Sequence, residues 1–77
     1  MTDPHDSIQF AVNVTVNGQE YSFPAFSTMA DLVKRLGHIP DSIATAVNGE
    51  FVARNRRGAY VLCFGDRVDL FQPIVGG

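Results

Sequence analysis

The segment from Ile8 to Phe23, IQFAVNVTVNGQEYSF, carries the strongest indication of the fold. Apolar residues occupy every even position from Ile8 to Val16, which is the period-two alternation of a strand with one buried face. Asn17-Gly18 follows, a dipeptide that accepts the positive φ angles of a type I′ hairpin turn. The implied register places the apolar residues of both strands on one face of a sheet. Its pairs are Val16 with Gln19, Val14 with Tyr21 and Val12 with Phe23.

A short amphipathic helix is predicted after this hairpin. Apolar residues recur at the i, i+3, i+4, i+7 spacing of one helix face: Met29, Leu32, Val33 and Leu36. Thr28 can cap the first turn with its hydroxyl, and Asp31 places an acidic group there. Because Gly37 readily takes the left-handed position after a helix, we expect the helix to end near Leu36.

The rest of the chain predicts three more strands. They are Ile43 to Val47, Glu50 to Ala53 and Arg67 to Phe71, the last of them central. A second Asn-Gly pair joins the first two, a loop covers Arg54 to Gly58, and Val61 to Phe64 is a brief apolar segment. We predict an α+β domain at 8–71, in which one main helix covers a small mixed sheet. Flexible tails are expected at 1–7 and 72–77.

Composition excludes several classes of function. The chain has 77 residues and a net charge of −2, which argues against nucleic-acid binding because phosphate contacts need an excess of Lys and Arg. No apolar run approaches the roughly 20 residues of a membrane span, and residues 1–7 do not resemble a secretory signal. Cys63 has no second cysteine with which to form an intrachain disulfide. We expect a soluble cytoplasmic protein that is monomeric when free.

Few side chains could support catalysis or bind a metal. His5 lies in the N-terminal tail, and His38 follows the helix, where it caps carbonyl groups or is solvated. Cys63 lies among apolar residues and is expected to be a small buried hydrophobe. With two His and one Cys, no zinc-ligand spacing occurs. We therefore expect no catalytic residue, no metal site and no bound cofactor.

The basic cluster Arg54, Arg56 and Arg57 has two interpretations that the sequence leaves open. In the first, it is a solvated loop of the kind that charge runs usually form. In the second, its guanidinium groups contact an acidic partner or a nucleotide phosphate.

The C-terminal segment Gln72-Pro73-Ile74-Val75-Gly76-Gly77 is uncharged apart from its terminal carboxylate. Fully extended, its six residues reach roughly 20 Å. Gly76 and Gly77 lack a Cβ, so the terminus fits a channel too narrow for other residues. The carboxylate is ionised at neutral pH and is a poor electrophile until it is converted to a mixed anhydride. The sequence indicates a carrier or modifier that a partner enzyme activates.

Four motifs together resemble the ThiS/MoaD family of ubiquitin-like sulfur carriers, with the ThiS branch the more similar. They are Ala46-Val47-Asn48-Gly49-Glu50-Phe51-Val52, then Arg54, then Gly65-Asp66-Arg67-Val68, and the Gly76-Gly77 terminus. The resemblance covers nearly all of 8–77 and implies a β-grasp fold. The sequence departs from the ThiS pattern in three places: Ala53 stands where a proline is frequent, Tyr60 stands near a position where tryptophan is common, and seven residues precede the first strand.

The resemblance also implies a reaction cycle. A ThiF-like adenylating enzyme would consume ATP to activate the Gly77 carboxylate, and sulfur from a cysteine desulfurase relay would convert it to a thiocarboxylate. Thiazole synthase of thiamine biosynthesis would be the acceptor. Alternatives are an acceptor in molybdopterin, cysteine or secondary metabolism, conjugation to lysines as a ubiquitin-like modifier, or a β-grasp binding module without acyl chemistry.

A docking surface is predicted at the root of the tail, where Phe71, Ile74 and Val75 form an apolar run. Strand alternation places Phe71 on the face opposite Val68 and Leu70. We expect this run, with Arg54, to contact the activating enzyme. The alternative is that Phe71 packs under the loop at 54–60.

Overall fold

The computed structural model describes residues 11–72. Its elements, in chain order, are strands β1 (Ala11–Val16) and β2 (Gln19–Pro24), helix α1 (Met29–Arg35), a 3-10 turn (Pro40–Ser42), strands β3 (Ala44–Val47) and β4 (Glu50–Val52), a 3-10 helix (Arg54–Ala59) and strand β5 (Arg67–Phe71). The predicted start of the first strand, at residues 8 to 10, lies outside the described residues, as do most positions of both predicted tails.

The strands form one mixed sheet in the order β2-β1-β5-β3-β4. The predicted hairpin register is confirmed, with Val12, Val14 and Val16 opposite Phe23, Tyr21 and Gln19. β5 is the central strand, as expected, and it runs parallel to β1 and antiparallel to β3. Within residues 11–72, one main helix over a five-stranded mixed sheet of this order is the β-grasp fold that the resemblance implies.

Both Asn-Gly pairs form the left-handed turns that were predicted. Asn17 and Gly18 have φ angles of 50° and 84°, and Asn48 and Gly49 have 51° and 87°. Both central residues of a type I′ turn require positive φ, which asparagine tolerates and glycine adopts without steric cost. The two turns set the register of the outer strand pairs, β1 with β2 and β3 with β4.

The core lies between α1 and one face of the sheet. Its buried apolar side chains come from every strand, from the helix and from two connecting segments: Val12, Val14, Val16, Phe23, Met29, Leu32, Val33, Ile43, Val47, Val52, Leu62, Val68 and Leu70. Met29 and Leu32 are fully buried, as the helical spacing predicted. The opposite face of the sheet carries no helix among the described residues, and we call it the open face.

Two local predictions are wrong. The stretch predicted as a loop at Arg54 to Gly58 is a 3-10 helix that extends to Ala59. Cys63, predicted to be buried, is exposed, as are Val61 and Phe64, whereas Leu62 is buried. The Leu62 amide donates to the Ser27 carbonyl and Val61 bridges Thr28, so this extended segment turns Leu62 inward and its neighbours outward.

The start of α1 is a capping box. The Asp31 amide donates to Thr28 Oγ1 at 3.2 Å, and the Thr28 amide donates to Asp31 Oδ2 at 2.9 Å. The bond from the Thr28 amide is the main reason that the pKa of Asp31 is held below its ordinary value of 3.8. Since the folded-state pKa is the lower one, the stabilisation is complete above the unfolded value and is lost as the pH falls through the folded value.

We expect Thr28→Ala to lower the free energy of unfolding by about 1 kcal/mol at neutral pH. Asp31→Asn should flatten the decline of stability in the acid range, because the amide does not titrate. Urea unfolding followed by circular dichroism at neutral pH and near pH 3 measures both effects, and the chain has no tryptophan to serve as a fluorescence probe. An acid-range decline equally steep in Asp31→Asn and in the natural sequence would contradict the assignment.

Candidate functional site: the C-terminal end of the central strand

The central strand leads directly into the C-terminal segment. β5 pairs with β3 through Phe71, opposite Ala44, and Gln72 is the last described residue. The predicted site residues Ile74, Val75, Gly76 and Gly77 lie outside the described residues. The structure therefore defines the point from which this segment leaves the domain, together with the surface around that point.

The asparagines of the two hairpin turns hold β5 from either side. The backbone amide of Asn17 donates to the Val68 carbonyl at 2.9 Å, and the side-chain Oδ1 of Asn17 accepts from the backbone amide of Leu70 at 2.8 Å. The backbone amide of Asn48 donates to the Arg67 carbonyl at 2.7 Å, and the side-chain Oδ1 of Asn48 accepts from the backbone amide of Arg67 at 2.9 Å. Each asparagine side chain thus accepts a hydrogen bond from a backbone amide of β5, as the carbonyl of a neighbouring strand would. These bonds fix the course of β5 towards the C-terminus.

Asp66 ties the start of β5 to its surroundings. It is 6% exposed, and its carboxylate accepts from Asn48 Nδ2 at 3.0 Å, from the Tyr60 hydroxyl at 2.9 Å and from the Cys63 amide at 2.8 Å. Burial, with the bond to Asp66, raises the pKa of Tyr60 to about 12, so this hydroxyl stays a donor across the physiological range. The Gly-Asp and Asn-Gly motifs meet here as parts of one network that positions β5.

The open face presents an apolar surface beside the exit of the chain. Phe71 is 48% exposed and lies next to Ala44, and Phe51 is 68% exposed and lies next to Ala46. Ala44 and Ala46 lie on β3 between the two phenylalanines, and Asp69 of β5, which pairs with Ala46, places a half-buried carboxylate on the same face. We call Phe71, Ala44, Phe51 and Ala46 the apolar patch. At strand spacings of roughly 4.8 Å, the Cα atoms of Phe51 and Phe71 are about 12 Å apart.

The predicted orientation of Phe71 is confirmed. Val68 and Leu70 are buried on the helix side, whereas Phe71 faces the open side and is about half exposed. That exposure argues against the alternative in which Phe71 packs under the segment at 54–60. Phe51 was not recognised from the sequence, although the register of the Asn48-Gly49 turn assigns it to the same face.

The basic cluster divides into three separate environments. Arg54 forms an exposed ion pair with Asp41. Arg56 is exposed, and its side chain forms no hydrogen bond or ion pair within residues 11–72. Arg57 is 4% exposed, so neither the solvated-loop interpretation nor the partner-contact interpretation describes it.

Arg57 is a structural cation inside the domain. Its Nε donates to Thr45 Oγ1 at 3.2 Å, and its two terminal nitrogens donate to the carbonyls of Pro40 and Ile43. Burial lowers its pKa, because removal from water disfavours the charged form. Its fork geometry satisfies three acceptors at once and ties the 3-10 helix to β3 and to the turn before it.

The described part of the chain offers little for catalysis. Within residues 11–72, no group of three His, Cys, Asp or Glu side chains is placed to hold a metal ion. No helix in that range is long and apolar enough to span a membrane. What the geometry does supply is a strand, held on both sides, whose last residue, Phe71, lies in an apolar surface.

Comparison with known proteins agrees with this description. The sequence model of the ThiS family matches residues 5–77. The chain belongs to the ThiS family. A similar solved structure is the thiamine biosynthesis protein ThiS of Geobacter metallireducens, with a TM-score of 0.74 and 26% identity over 86% of this chain and 100% of that one. A comparison with curated protein sequences found no match. The residues matched by the ThiS family model include the Gly76-Gly77 terminus and the Asn48-Gly49 and Gly65-Asp66 motifs.

Proposed function

We propose that this ThiS-family chain is a sulfur carrier of thiamine biosynthesis and that its reactive group is the Gly77 carboxylate. The observation that carries the proposal is the anchored central strand, which leads from the apolar patch into a segment ending in Gly-Gly. The family match and the likeness to the Geobacter protein support the pathway. The chain acts as a cosubstrate of partner enzymes and is not itself a catalyst.

The chemistry requires activation by a partner. A carboxylate oxygen of Gly77 attacks the α-phosphate of ATP in a ThiF-like enzyme, and pyrophosphate leaves. The acyl adenylate is a mixed anhydride, so the terminal sulfur of a persulfide from a cysteine desulfurase relay can displace AMP and form an acyl disulfide. A second thiol then attacks the outer sulfur of that disulfide, forms a new disulfide and releases the thiocarboxylate. Thiazole synthase then receives the sulfur. ATP is bound by the activating enzyme, and we assign no resident cofactor to this chain.

The domain contributes positioning to this cycle. The apolar patch gives the activating enzyme a surface to bind, and we expect the apolar residues Ile74 and Val75 to contact the enzyme as well. Arg54 follows β4 and already pairs with Asp41, so its contribution to docking requires a partner that competes for that ion pair. We assign the cycle to the cytoplasm, where thiols stay reduced.

Intact mass spectrometry tests the proposal. Incubation with ATP, a ThiF-like enzyme and a sulfur donor should raise the mass by about 16 Da, the exchange of one oxygen for sulfur at an activated carboxylate. A chain that lacks Gly77 should gain nothing and should unfold at the same urea concentration as the full chain. If several activating enzymes produce no gain, or if the shortened chain still supports thiamine synthesis in cells, the carrier role is wrong.

A further inference from the structure

Strand β4 is an edge of the sheet with one outward-facing pair of backbone groups. In a two-residue hairpin, the residues flanking the turn form a hydrogen-bonded pair, and hydrogen-bonded and non-hydrogen-bonded pairs then alternate. Val47 and Glu50 flank the turn, so Phe51 opposite Ala46 is a non-hydrogen-bonded position. The amide and the carbonyl of Phe51 therefore point away from β3, towards the open edge.

A groove runs along this edge, between β4 and the 3-10 helix. Its volume is about 400 Å³, and its apolar lining includes Val47, Val52, Ala59 and the ring of Tyr60. Strand edges of this kind accept an added strand, which gains main-chain hydrogen bonds on one side and side-chain contacts in the groove.

Opposite charges stand at the two ends of the groove. Glu50 lies at the turn end of β4, and Arg56 lies at the other end, where its amide donates to the Ala53 carbonyl. Neither side chain forms an ion pair or a hydrogen bond with any residue of the described range. The groove is therefore acidic at one end, apolar in the middle and basic at the other end.

We propose that a second copy of this chain binds at this edge, with the two β4 strands antiparallel about a two-fold axis at Phe51. Each Phe51 then donates its amide hydrogen to the carbonyl of Phe51 in the other copy, which satisfies both outward groups. The same rotation brings Glu50 of each copy towards Arg56 of the other. An interface of this symmetry needs a surface that is complementary to itself, and the charge order of the groove meets that condition.

The association is weak, since β4 has only three residues and short edge strands limit pairing. The chain is a monomer at low concentration, as expected from the sequence, and a dimer at high concentration. Phe71 lies two strands away, on β5, and takes no part in the contact between the two copies. Phe51 also belongs to the apolar patch, so a second copy bound at β4 narrows access to that patch.

Charge exchange tests the interface. Sedimentation of the full chain from low micromolar to millimolar concentration should show a monomer-dimer equilibrium. Glu50→Arg alone and Arg56→Glu alone should each weaken dimerisation at least tenfold. An equimolar mixture of these two variants should form a heterodimer, because both cross-contacts are then of opposite sign. The double variant Glu50→Arg with Arg56→Glu should dimerise as the natural sequence does.

Amide exchange supplies a second readout, since protection of the Phe51 amide should rise with protein concentration. A monomer at every concentration, with unchanged Phe51 exchange, overturns the proposal and leaves the edge to a strand of another protein. If both single variants dimerise as strongly as the natural chain, the interface lies elsewhere on the protein. Sulfur loading is not required for any of these measurements, so their failure is separate from failure of the carrier role.

Discussion

Replacing Arg57 with alanine is expected to lower the free energy of unfolding by about 3 kcal/mol, most of the stability of a domain of this size. The guanidinium donates to the Pro40 and Ile43 carbonyls and to Thr45 Oγ1. Thr45 keeps its bond to the Val52 carbonyl, but the Ile43 carbonyl loses its donor in a buried position and the Pro40 carbonyl loses its donor in a partly buried one. Each unsatisfied buried acceptor costs about 1 to 3 kcal/mol, and lost packing of the side-chain stem adds to this.

A matched control lies one residue away. Arg56→Ala removes the same side chain from an exposed position without a partner in the described range, so the free energy of unfolding should change by less than about 0.5 kcal/mol. Arg57→Lys should fall between the two, because one ammonium group cannot reproduce the planar fork. Urea unfolding at low protein concentration, read by circular dichroism, makes the comparison. Equal stability of Arg56→Ala and Arg57→Ala would show that the buried hydrogen bonds contribute nothing.

The sequence predicted the elements whose signals are local. Asn17-Gly18 specified a turn and, through it, a register that could be checked against the alternation of both strands. Thr28 and Asp31 marked the helix start, because a cap needs only residues three positions apart. The central place of β5 followed from its alternation, although the asparagine contacts that hold it join positions more than 15 residues apart and leave no local pattern.

Arg57 and Cys63 show what a local pattern misses. Among Arg54, Arg56 and Arg57, only Arg57 is buried, and its acceptors lie 12 to 17 residues earlier in the chain. Cys63 has apolar neighbours on both sides, which suggested a buried thiol. The extended backbone of that segment instead buries Leu62 alone. In both cases the environment is set by contacts across the fold.

The candidate site was predicted in part. Phe71 was assigned to the correct face, because alternation in β5 is regular. The four site residues predicted in the C-terminal segment, Ile74, Val75, Gly76 and Gly77, lie outside the described residues and stay predictions based on chemistry and resemblance. Phe51 joins the apolar patch because β3 and β4 pair through Ala46. Predicting its place there would have required the order of the strands in the sheet as well as the turn.

Phe71→Ala is expected to reduce kcat/KM for adenylation by the ThiF-like enzyme by about tenfold to a hundredfold. Truncation of an aromatic side chain at the centre of an interface costs about 1.4 to 2.8 kcal/mol when it is a binding hot spot. Phe71 meets the requirements: it is half exposed on a rigid strand, borders the apolar patch and immediately precedes the segment that must enter the enzyme. Its loss should cost the fold less than about 1 kcal/mol, since the core side of β5 is untouched.

Phe64→Ala provides the control for the loss of an exposed ring. Phe64 is 78% exposed, but it precedes β5, whereas Phe71 is the last residue of that strand. Removal of the Phe64 ring should therefore leave adenylation unchanged. Pyrophosphate release measured over a range of carrier concentrations separates a rise in KM, expected for lost docking, from a fall in kcat, expected for a misplaced terminus. If Phe71→Ala and Phe64→Ala are adenylated equally well, docking does not use the open face at Phe71. An unfolded Phe71→Ala would instead mean that this ring stabilises the domain, which its exposure and orientation argue against.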